Sequence, residues 1–119
     1  MAEEKILNMP LLKKHALEIL RGEKIREYRP FNDHWAKRLC LFEDEKDPYS
    51  ATGLKHFDRV HFYPYNNKWF LDCSIKAIIW YTVDNEFLRE FGNEVEAKPG
   101  DVIFIIRIGE VLDTNLKVE

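Results

Sequence analysis

A chain of 119 residues, 45% of them hydrophobic and 13% aromatic, can bury one compact core and is too apolar to remain disordered. Its net charge of −3 argues against a broad, salt-driven nucleic-acid surface, and no apolar run approaches the ~20 residues of a membrane span. The start at Met1 to Lys5 is too charged for a secretory signal, and Cys40 and Cys73, far apart in apolar surroundings, read as buried free thiols of a cytoplasmic protein.

No internal repeat or low-complexity linker interrupts residues 1–119, so a single domain is expected. Pro10 suits a first helical turn, and Leu12, Ala16, Ile19 and Leu20 recur at i, i+4, i+7 and i+8. This predicts a helix that Gly22 stops in a left-handed cap. Residues 25–29 follow as a strand. Alternation puts Ile25, Glu27 and Arg29 on one side, and Lys24, Arg26 and Tyr28 on the other. Lys24 can therefore share a ligand with Glu27 only from the turn after Gly22, not from the pleat.

Pro30 interrupts that strand, and Asn32 or Asp33 can cap a short helix bearing Trp35 and Leu39 at i, i+4, with Lys37 and Arg38 beside them. Trp35 is either a core anchor or a base-stacking platform. Residues 43–55 read as a polar loop and candidate flap, opening on the acidic run Glu43, Asp44, Glu45 and Asp47. Residues 57–63 predict a strand with Val60 and Phe62 inward and Arg59, His61 and Tyr63 outward.

A turn at residues 64–67 leads to the clearest pattern in the chain. Between residues 69 and 83 every odd position is apolar, while Asp72, Ser74 and Lys76 mark the other face of a long strand. A strand of this length is expected to bend, as in a small closed barrel. Asp84 can cap a helix through Phe87, Leu88 and Phe91, and Lys98 to Asp101 form a tight turn into a last strand over residues 102–108. The class expected is α+β, a small β-barrel with peripheral helices.

Charge is unevenly spread along this plan. From Arg21 to Arg38 six basic residues (Arg21, Lys24, Arg26, Arg29, Lys37, Arg38) face three acidic ones (Glu23, Glu27, Asp33), an excess of three positive charges in an acidic chain. One basic mouth suits a small anionic ligand or a few nucleotides, not a long duplex. Within it Lys24 offers a compact ammonium, Arg29 a rigid donor fork, and Glu27 an acceptor for ring N–H or amino groups. Two structural readings stand beside this one: Lys24 as a cation placed at a helix C-terminus, and the whole segment as a solvated strand of neutralising charges.

Gly22-x-Lys24-x-x-Glu27-x-Arg29 resembles the signature of the ASCH domain, a small PUA-like β-barrel family linked to RNA. Leu11 to Lys14, Glu27 to Pro30, Trp35 to Leu39, Phe57 to Phe62 and Phe104 to Leu112 are similar, in the same order, to a bacterial and phage subgroup of that family. The resemblance implies a PUA-like barrel whose cleft beside the first helix binds single-stranded RNA or a nucleotide-like small molecule. Lys24, Glu27 and Arg29 would line its floor, Tyr28 or Tyr63 would stack on a base, and Arg26, Lys37 and Arg38 would add charge.

Some members of the resembled family are amidohydrolases of acetylated cytidine, and ribonuclease activity is associated with others. The amidohydrolase pattern has a nucleophilic Thr three residues after the Lys and a Glu on a later strand. Here those positions hold Glu27 and Ser74, and a carboxylate cannot replace a hydroxyl nucleophile without changing the chemistry. Lys24 and Glu27 remain candidates for a proton-transfer pair in a hydrolase acting on a modified nucleoside or on RNA. A third reading is a non-catalytic interaction module in which Glu27 and Arg29 pair structurally. The four histidines lack metal-ligand spacing, and no Gly-rich phosphate loop or serine elbow occurs, so no cofactor is expected.

Overall fold

The computed structural model describes residues 3–44, 46–66 and 68–117. Glu45 of the acidic run, Asn67 of the turn and the first two residues of the charged start lie outside them. The chain is α+β, and it forms two compact units. One gathers Met1–Glu27, His56–Ala77 and Arg107–Glu119, and the other Tyr28–Lys55 and Ile78–Ile106.

The first unit opens with a strand the sequence reading assigns to no element, β1 (Ile6–Pro10). Its side chains alternate, with Leu7 and Met9 buried and Ile6 and Asn8 exposed, so Pro10 ends a strand rather than starting a helix. β1 runs parallel to β5 (Arg59–Tyr63), with Leu7 opposite Val60 and Met9 opposite Phe62. β5 pairs antiparallel with β6 (Leu71–Thr82), with Val60 opposite Cys73 and Phe62 opposite Leu71. Val60, Phe62, Leu71 and Cys73 are fully buried, as their parity requires.

Between β1 and the next strand lies α1 (Lys13–Leu20), which buries Ala16 and Ile19. Leu12 is the N-cap and is exposed, not part of the apolar stripe. Gly22 closes the helix at φ +79°: its N–H donates to the Ile19 carbonyl and the Glu23 N–H to the Glu18 carbonyl. That is the paired pattern of a Schellman cap. The Lys24 N–H also reaches the Glu18 carbonyl, so Lys24 sits in the cap turn, ahead of β2 (Arg26–Pro30).

In the second unit Asn32 caps α2 (Asp33–Leu39) by accepting from the Trp35 N–H at 3.0 Å, and Trp35, Ala36 and Leu39 are buried. The segment expected to be a loop is more ordered than its polarity suggests. β3 (Cys40–Phe42) pairs antiparallel with β4 (Ala51–Leu54), with a 3-10 turn at Pro48–Ser50 between them. The Asp47 carboxylate caps that turn through the Tyr49 N–H, and the Ser50 hydroxyl donates to the Asp44 and Asp47 carbonyls.

Asp84 caps α3 (Asn85–Phe91) by accepting from the Phe87 N–H at 2.7 Å. Phe87 then joins Tyr28, Val83, Ile103 and Ile105 in a buried cluster. Gly100, at φ +92°, turns the chain into β7 (Val102–Thr114), which runs six residues beyond the expected end at Ile108. The five-stranded mixed sheet has the order β1-β5-β6-β7-β2, and β6 and β7 contribute residues to both units. No helix among the described residues is long and apolar enough to cross a membrane.

Candidate functional site

The residues singled out by sequence fall on both sides of the division at Glu27 and Tyr28. In the first unit, Lys24 is half-buried in the Schellman turn, Arg26 is half-buried on β2, and Glu27 is only 6% exposed. A carboxyl group so withdrawn from water needs polar or charged company, which favours a structural or ligand-directed role over a solvated one. In the second unit, Tyr28 is buried, its ring in a T-shaped pair with Phe87, 6.4 Å between centroids. Tyr28 therefore belongs to the core cluster, with little of its surface left for a base.

Arg29 and Arg38 do come together, on Trp35. The guanidinium carbon of Arg29 lies 5.4 Å from the indole centroid and that of Arg38 lies 5.5 Å from it. Trp35 is buried at 7% exposure, so the indole acts as an anchor for the two guanidinium groups rather than as an open stacking surface. The Arg29 Nη1 also donates to the Tyr28 carbonyl at 2.7 Å. His34 meets the same indole edge-on at 4.9 Å, and exposed Lys37 holds the Lys55 ammonium on its backbone carbonyl. Arg38 and Lys37 lie in the last turn of α2, where cations oppose the negative end of the helix dipole.

Tyr63 belongs to a second group, on the outward side of β5 and β6 in the first unit. The His61 ring lies 6.0 Å from that of Tyr63 and 6.0 Å from that of Phe70, within 24° of parallel to each. The His61 Nδ1 meets the Asp72 Oδ1 at 2.5 Å, and the other carboxylate oxygen lies 3.6 Å from the Arg59 guanidinium. Arg59 in turn bonds Glu4 at 3.0 Å. The His61–Asp72 pair was not among the residues chosen from sequence. Its signal was present, since His61 and Asp72 each stand at outward positions of strands that were recognised; only the register that sets them opposite was missing.

An Asp at the Nδ1 of a half-exposed imidazole favours the tautomer protonated there and leaves Nε2 as the acceptor, an arrangement that oriented general bases also use. Ser74 is engaged structurally: its Oγ accepts the Glu110 N–H at 2.8 Å. Cys40 and Cys73 are buried free thiols, and burial pushes both upward from the usual thiol range, Cys73 to about 12 with a further contribution from Asp72. Neither is a nucleophile at neutral pH. Among the described residues no group of three or more His, Cys, Asp or Glu side chains could hold a metal ion.

Comparison of the chain with protein-family models, with curated proteins and with solved structures finds no match.

Proposed function

We propose that the protein is a cytoplasmic domain of the ASCH, PUA-like kind that binds single-stranded RNA or a nucleotide-like ligand through its basic segment. The observation that supports this reading is the pair of guanidinium groups, Arg29 and Arg38, seated on the one indole of Trp35. Arginine stacked on a ring loses little further freedom when its planar fork meets a phosphate or a base edge. A few such contacts suffice for a short single strand, and they are compatible with a net charge of −3.

The test keeps the charge and removes the planar fork. Titration of a labelled single-stranded RNA of about eight nucleotides, within the site sizes of single-strand binders, follows binding by fluorescence anisotropy. Arg29→Lys combined with Arg38→Lys is expected to weaken it by about tenfold or more, equivalent to about 1.4 kcal/mol. Lys24→Ala probes the family motif in the same assay. Wild-type protein that binds no single-stranded RNA, or a double variant that binds unchanged, removes the proposal.

A second reading, hydrolysis of a modified nucleoside or of RNA, gains support from the His61–Asp72 pair rather than from Lys24 and Glu27. Incubation with acetylated cytidine and with unstructured RNA, followed by mass spectrometry, distinguishes them. Turnover lost in His61→Ala supports the second reading; no turnover above that variant's background ends it.

A further inference from the structure

A separate concavity in the first unit has a composition that fits neither a packing defect nor a protein core. Its volume is about 290 Å³, and Lys13, Lys68 and Lys117 line it together with Leu17, Trp69, Asn115 and Leu116. No carboxylate is among its described lining residues, and none of the three ammonium groups has a carboxylate partner among the described residues. Three like charges gathered round one hollow repel one another, an unusual concentration in a chain of net charge −3.

The helix that contributes to this hollow breaks the usual rules at the same place. The N-cap of α1 is Leu12, which supplies no side-chain hydrogen bond, and its first turn contains Lys13 and Lys14 with no acidic residue. Cations at a helix N-terminus oppose the dipole, and an uncapped terminus leaves donor N–H groups to solvent. An anion beside Lys13 relieves both conflicts. Local rules broken together at one concave site point to a ligand rather than to stability.

The walls are held firmly. The Asn115 Oδ1 accepts from the Phe70 N–H at 2.9 Å and its Nδ2 donates to the Lys68 carbonyl at 3.4 Å. The Thr114 hydroxyl donates to the Phe70 carbonyl at 2.6 Å and accepts from the Leu116 N–H at 3.0 Å. The strand end that leads to Lys117 is thereby fastened to the one that follows Lys68. Trp69 and Leu17 are the larger apolar members of the lining.

We propose that this hollow is a binding site for a small phosphomonoester with a flat or apolar body, the phosphate held by Lys13, Lys68 and Lys117 and the body against Trp69 and Leu17. The volume lies at the lower edge of the ~300–1,000 Å³ range of small-molecule sites, which fits one such molecule and not a polymer. The site is independent of Arg29, Arg38 and Trp35, so its success or failure does not bear on the RNA reading.

Phenyl phosphate serves as the probe, with phenol and inorganic phosphate as its two halves, in isothermal titration calorimetry on the whole chain. The expected result is saturable binding of phenyl phosphate that exceeds that of either half. It weakens as salt is raised from about 0.05 to about 0.5 M, because screening shortens the reach of the lysine charges. The Lys13→Gln, Lys68→Gln, Lys117→Gln triple variant alters only exposed side chains, and its binding should fall at least about tenfold, or about 1.4 kcal/mol. Lys76→Gln, exposed and outside the lining, should bind as the wild type does. Absence of binding, equal binding by the triple variant, or phenol binding as tightly as phenyl phosphate each overturns the phosphate site; inorganic phosphate binding as tightly overturns the role of the apolar wall.

Discussion

Asp72 faces His61 directly across the β5–β6 ladder, and its carboxylate serves His61 with one oxygen and Arg59 with the other. One residue at 8% exposure thus bonds the His61 ring and pairs electrostatically with Arg59. Asp72→Ala leaves His61 without its partner in a partly dry setting, while Arg59 keeps Glu4, and losses of this kind are about 1–3 kcal/mol. Urea unfolding should show that decrease, with Asp72→Asn losing less because the amide oxygen still accepts. A change below about 0.5 kcal/mol in the alanine variant would mean that water replaces the carboxylate at no cost.

Gly22 illustrates a conformational requirement without a spatial one. Its φ is +79°, yet a Cβ built on it meets nothing within 4 Å. Gly22→Ala should therefore lose about 1 kcal/mol from the left-handed geometry alone, with no repacking. Thermal unfolding measures the loss, and a neutral result would mean that the Schellman cap reforms around another residue.

Elements whose signal is local were legible in the sequence. Asn32, Asp84 and Gly22 mark helix ends through their own side chain or its absence, and the parity of residues 59–63 follows from burial of one face. β1 was hidden because five residues ending in Pro10 give too short a pattern, and its parallel partner lies more than fifty residues away. β4 was hidden by Thr52 and Gly53, which read as turn residues, yet Gly53 pairs with Leu41 of β3 while Thr52 falls at a register shift. The same limit applies to function. Trp35 with Arg38 could be suspected from helical spacing at i, i+3, whereas Arg29 with Trp35, His61 with Asp72, and the three lysines are joined only by the packing of separate elements, by strand register and by the return of the C-terminal segment.

Gly109 is required for a different reason from Gly22. A Cβ at Gly109 would overlap the Ser74 hydroxyl, which accepts the Glu110 N–H. Gly109→Ala must rotate that hydroxyl away and break the bond, a loss of about 1–3 kcal/mol once the freed N–H is counted. Ser74→Ala removes the clash and the acceptor together. The double variant should therefore be less destabilised than the sum of the two single ones, by about 0.5 kcal/mol or more in a double-mutant cycle. Strict additivity would show that the hydroxyl and residue 109 do not meet.

Cys73 carries the clearest pH signature. It is fully buried, and burial followed by the negative charge of Asp72 pushes its thiol up from 9.0 to about 12. The folded state therefore favours the protonated form more than the unfolded chain does. The resulting stability is fully present below pH 9.0 and is lost as the pH climbs towards about 12, since only the unfolded thiol ionises in that interval. Alkylation should report the same asymmetry: at mildly alkaline pH iodoacetamide modifies Cys73 in urea and spares it in the native protein, as read by peptide mass spectrometry. Asp72→Asn should bring the native thiol part of the way back towards 9.0, because it removes the smaller cause and leaves burial in place. Native Cys73 that reacts as fast as the unfolded chain would place the thiol in water and contradict its burial beside Asp72.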